Sequence, residues 1–119
     1  MDDLLPEKYR TDFEIVRETA EQVIKDVQLS GFDLRFSGDP LSAYSELRQQ
    51  LLPILQDLHK SDSSAFQALL YRVDLSESEF ARLPRGADFY GQLTDKVLQR
   101  EFKKVLIRRY FRDRGSNPA

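Results

Sequence analysis

Apolar residues recur at spacings of three and four along most of this chain, the period of α-helices that bury one side. In the first segment Tyr9, Phe13, Val16, Ala20, Val23, Ile24 and Val27 fall on one stripe. Pro6 suits an early helical position and the Ser30-Gly31 pair ends the pattern, so the spacing predicts a helix over about 7–29. Glu14, Glu18 and Glu21 are expected on its solvent side.

Residues 32–36, FDLRF, switch to a period of two. A short strand would fit that alternation, but a lone strand has nothing to pair with in an otherwise helical chain. The expectation is an extended linker over 31–38 whose Phe32, Leu34 and Phe36 pack onto the helices. Strand pairing, if any, would join two copies of the chain.

Asp39-Pro40 reads as an N-cap followed by proline at the first helical position. The next stripe is Tyr44, Leu47, Leu51, Ile54, Leu55 and Leu58. Pro53 sits inside it and removes one backbone donor, yet the stripe keeps its phase, which predicts one helix kinked at Pro53. Asp62 or Ser63 can cap a third helix that buries Phe66, Leu69, Leu70 and Val73. Ser76 and Glu79 have capping-box spacing and open a short helix that Pro84 and Gly86 end. The final helix is expected over about 88–112. The fold class that follows is all-α, with four principal helices in a small bundle. Residues 1–113 form a single domain and 114–119 a disordered tail.

Charge changes this picture at one place. Residues 96–114 carry eight Lys or Arg against two acids, while the preceding 95 residues carry ten bases against eighteen acids. The formal total of −2 hides a basic end on an acidic body. On a helical wheel Leu98, Phe102, Val105, Leu106 and Tyr110 cover one side of the last helix. Lys96, Arg100, Lys103, Lys104 and Arg108 cover the other. Ile107 and Phe111 lie one turn apart within or beside the basic face, and Leu93 and Val97 continue that line upward. Two explanations compete. The acidic helices could neutralise the cations inside the bundle, helped by the helix dipole. Alternatively Lys103, Lys104, Ile107, Arg108, Phe111 and Arg112 form a partner-binding face, with apolar anchors ringed by arginine.

Composition and motifs narrow the function by exclusion. The chain has no Cys, one His and five scattered glycines. Thiolate chemistry is excluded, and no phosphate-binding glycine loop, zinc set or nucleophile triad can be assembled. Glu14, Glu18 and Glu21 could hold a hard cation weakly, and Asp74, Ser76, Glu77 and Glu79 cluster without the spacing of a calcium loop. His59 falls at a helix end, where the dipole favours it. No catalytic, cofactor-binding or metal-ligating residue is assigned. No stretch approaches the roughly 18 apolar residues of a membrane span, and the acidic start is unlike a signal peptide. The reading is a small cytoplasmic protein–protein interaction or regulatory module, with no chemistry of its own and a homodimer as one form. The alternatives are an enzyme or cofactor binder with an unrecognised polar pocket, and a weak nucleic-acid binder through Lys103, Lys104, Arg108, Arg109 and Arg112. A pI near 5.4 weighs against the last.

Overall fold

A computed structural model describes residues 12–115, with side chains described over 12–112. Five helices follow in order: α1 (Phe13–Gln28), α2 (Ala43–Ser61), α3 (Ser63–Arg72), α4 (Glu77–Ala81) and α5 (Phe89–Gly115). No strand occurs among the described residues. The chain is an all-helical bundle, as the periodicity predicts.

Local chemistry fixes most boundaries. Asp12 is extended, and its carboxylate accepts from the Glu14 N–H at 3.1 Å and the Ile15 N–H at 3.4 Å. This N-cap starts α1 six residues later than expected, because it satisfies the first orphan donors at that point. Pro6 and Tyr9 lie outside the described residues. Asp39 caps no helix directly. Its carboxylate accepts from the Leu41 N–H and the Ser42 hydroxyl, which closes a turn before α2 begins at Ala43. The helix runs unbroken through Pro53, which is exposed, so water can reach the Gln49 carbonyl that loses its donor. Asp62 caps α3, and the capping box of Ser76 and Glu79 forms at α4 as read. The final helix runs to Gly115, and the rest of the expected tail lies outside the described residues.

Residues 32–36 are an extended cover for the bundle. Leu34 is buried and Phe32 and Phe36 are half-buried against the core, while Asp33 and Arg35 face water. A side chain takes the place of the missing neighbouring strand. Gln50 of α2 accepts from the Arg35 N–H at 2.8 Å and donates to its carbonyl at 2.7 Å. Glu46 likewise accepts from the Ser37 N–H and hydroxyl. The Arg35 and Ser37 backbone groups thus find their partners within one copy of the chain.

The main core joins all the helices. Val23 and Val27 of α1, Leu51 and Leu55 of α2, Phe66 and Leu69 of α3, and Leu93 and Val97 of α5 are its fully buried centre. A smaller cluster of Ile15, Phe102 and Val105, backed by Leu106, lies between α1 and α5 alone. At about 1.5 Å per residue the 27 residues of α5 span roughly 40 Å. That length exceeds the two shorter dimensions of the molecule, which measures 49 × 31 × 27 Å. The second half of α5 therefore has fewer neighbours than the first.

Candidate functional site

The basic helix meets the acids of its own chain, turn by turn. Arg100 donates to the Asp74 carboxylate at 2.8 Å and to its carbonyl at 3.0 Å, and lies 3.7 Å from Glu79. These contacts help hold Asp74 at a φ of +65°, a left-handed conformation that short polar side chains tolerate best. Lys104 reaches Asp26 at 3.1 Å. Arg108 and Arg109 grip the two oxygens of Glu18 at 2.9 and 2.8 Å, and Arg109 extends to Glu14 at 3.8 Å. Arg108 also donates to Gln22. Residues 14 to 26 thus pair with 109 to 104 in reverse order, so α1 and α5 run antiparallel. Burial alone would raise the Glu18 carboxyl, but the Arg109 and Arg108 guanidiniums offset this and hold it below the usual glutamate value.

The partner-binding set read from the sequence is therefore divided. Lys104 and Arg108 are occupied by ion pairs within the chain, as is Arg109 of the nucleic-acid set. Lys103, Ile107, Phe111 and Arg112 are exposed, and neither Lys103 nor Arg112 makes an ion pair among the described residues. Ile107 is 48% and Phe111 66% exposed. Tyr110, expected on the core side, is 55% exposed, and its ring stands edge-on to Phe111 at 5.4 Å. By contrast Leu93 and Val97, on the same line further up, are buried in the main core. That line is one stripe only on a wheel, because the helix changes neighbours along its length. Glu14 and Glu18 hold arginines here, Glu14 from an exposed position, and Glu21 also stays on the solvent side.

His59 closes one end of an aromatic cluster. Its ring centroid lies 4.8 Å from Phe66 and 5.7–5.9 Å from Tyr90, Phe80 and Phe89, and Nδ1 is 2.8 Å from the Tyr90 hydroxyl. The Arg85 guanidinium covers Phe80 and Phe89 at 4.7 and 4.5 Å. Such stacking packs α2, α3, α4 and α5 together at that end.

Sequence reasoning missed a buried charged cluster. Asp26 and Glu101 lie at the junction of α1, α3 and α5 with Lys104 between them. The signal was present for Glu101, which falls on the apolar stripe between Leu98 and Val105. Also missed is the tie between α2 and the start of α5, where Asp95 accepts from Arg48 at 2.8 Å and from the Tyr44 hydroxyl. Burial and the Asp95 charge raise the Tyr44 phenol above its ordinary value. No group of three or more His, Cys, Asp or Glu among the described residues could hold a metal ion, and none of their helices is long and apolar enough to cross a membrane. Comparison with models of protein families, with curated proteins and with solved structures finds no match to this chain.

Proposed function

We propose that the protein is a small cytoplasmic interaction module that performs no chemistry itself and binds a protein partner through the outer half of α5. The observation that carries this reading is the exposure of Ile107 and Phe111 on adjacent turns, with Tyr110 against Phe111. Large apolar side chains grouped on a charged surface mark contacts more often than they mark idle surface. Lys103 and Arg112 supply the cationic rim, so the fitting partner is a segment with apolar anchors flanked by acidic side chains. A second copy of the chain is one candidate. Phe32, Leu34 and Phe36 cover their own bundle and lend that candidate no support, which for it leaves the α5 face.

The test is capture from native cytosol on the intact chain, run beside Phe111→Asp. Support requires proteins that the parent retains and the variant loses while its melting temperature is unchanged. Equal capture by both would refute this surface. Light scattering separates self-association: a mass of twice 13.9 kDa that falls to one copy in Phe111→Asp identifies the partner as a second copy.

A further inference from the structure

The charged junction behind the exposed face has properties that surface pairing does not explain. Glu101 is completely buried and Asp26 is 5% exposed. Asp26 accepts from Gln22 Nε2 at 3.1 Å and from Lys104 Nζ at 3.1 Å. Lys104 also donates to the Arg72 carbonyl at 2.9 Å and stands 3.2 Å from Glu101 Oε1. That approach lacks the angle of a hydrogen bond, so both Glu101 oxygens remain without a hydrogen-bond partner. Two buried carboxyl groups therefore share one ammonium.

The surrounding charges are committed elsewhere. Arg72 of α3 turns to the Asp26 carbonyl at 3.2 Å and to the Ser30 hydroxyl. Arg100, next to Glu101 on α5, turns to Asp74 and Glu79. Arg48 of α2 holds Asp95, six residues earlier on α5. A second anionic charge in this place would be an uncompensated buried charge, which proteins tolerate poorly.

We infer that Asp26, Glu101 and Lys104 form a proton-operated latch between α1 and α5, closed while Glu101 carries its proton and opened when alkaline solution removes it. Opening places two carboxylates against one ammonium and loosens the second half of α1 from α5. Burial first, and then the neighbouring Asp26 carboxyl, push the Glu101 carboxyl up to about 8, with Lys104 offsetting only part. Burial would lower the Lys104 pKa, but Glu101 and Asp26 more than offset it, so the ammonium persists through that range. The sign follows from linkage. A folded pKa above the ordinary 4.5 means that the native chain binds the extra proton. Its stabilisation is complete below that ordinary value and is lost as pH rises through about 8.

The experiment follows thermal melting and amide exchange of the whole chain on both sides of that pH, with Glu101→Gln compared at each pH to cancel the intrinsic exchange rate. In the parent the unfolding constant should rise by up to about tenfold per pH unit between the ordinary 4.5 and about 8, the limit for one proton, and level off above that. Amides in the second half of α1 should lose protection over the same interval. Glu101→Gln should be flat there, and Asp26→Asn should move the fall to lower pH by removing the like charge. A parent without the fall, or a Glu101→Gln chain that reproduces it, would overturn the latch. If Glu101→Gln does not fold, infrared spectra of the parent decide. A protonated-carboxyl band present at neutral pH and lost in alkali supports the latch, and its absence at neutral pH overturns it.

Discussion

The two halves of α5 both carry apolar residues at helical spacing, and they do different work. From Phe89 to Leu98 the helix is tied to α2 through Asp95 with Arg48 and Tyr90 with His59, and its buried apolar side chains belong to the main core. From Glu101 to Leu106 it packs against α1, with Lys104 also reaching the Arg72 carbonyl of α3, and the core shrinks to Ile15, Phe102 and Val105. Beyond that, Ile107 and Phe111 face water, while Arg108 and Arg109 are tied to Glu18. Apolar content alone does not make a helix face a core. The number of neighbours does, and charge pairing can carry a helix past the point where apolar packing ends.

Substitutions rank the halves by energy. Leu93→Ala removes a fully buried side chain and should cost about 2–5 kcal/mol, read as a lower midpoint in denaturant. Ile107→Ala should stay within about 0.5 kcal/mol of the parent, as surface changes usually do. Equal losses at the two positions would erase the distinction.

Gln50→Ala tests the linker that closes the first half. It deletes both hydrogen bonds to Arg35 and should cost about 1–3 kcal/mol, since each contributes roughly 0.5–1.5 kcal/mol net. Amide exchange at Arg35 should accelerate more than exchange in the α2 core, and an unchanged rate there would contradict the strand-like role of Gln50.

Glu18→Gln probes the charge pairing of the second half. The pairs are partly exposed, so solvent screening limits the loss to about 0.5–1 kcal/mol, shrinking further as salt is added. Because the folded carboxyl lies below its ordinary value, its contribution is present at neutral pH and disappears as pH falls through the folded value. The parent and Glu18→Gln should therefore melt alike in strong acid. A difference that survives high salt and acid would point to packing instead of charge.

Much of the bundle was legible because helical spacing, the Ser76–Glu79 box and the glycine after Ser30 each act locally. The extended reading of Phe32–Phe36 was also available, since alternation without a second strand leaves few options. The start of α1 was not, because Tyr9 continues the apolar stripe and only the Asp12 cap shows where the helix begins. At the candidate site, the exposed Ile107 and Phe111 were visible as breaks in the amphipathic pattern. The loss of Lys104 and Arg108 to Asp26 and Glu18 was not, because it depends on which helix lies antiparallel to α5. Tyr110 was misplaced for the same reason. A wheel assumes that the neighbours are constant along the helix, and here they run out.

The central claim is that the outer half of α5 presents an apolar face kept open for contact while its paired cations are spent within the chain. Hydroxyl-radical footprinting of the intact protein, alone and then in native cytosol, tests it most directly. Alone, Phe111 and Ile107 should label far more heavily than buried Phe66 and Leu93, and in cytosol their labelling should fall while the core is unchanged. Protection of Phe111 and Ile107 in the dilute monomer, or identical labelling in buffer and cytosol, would contradict the claim.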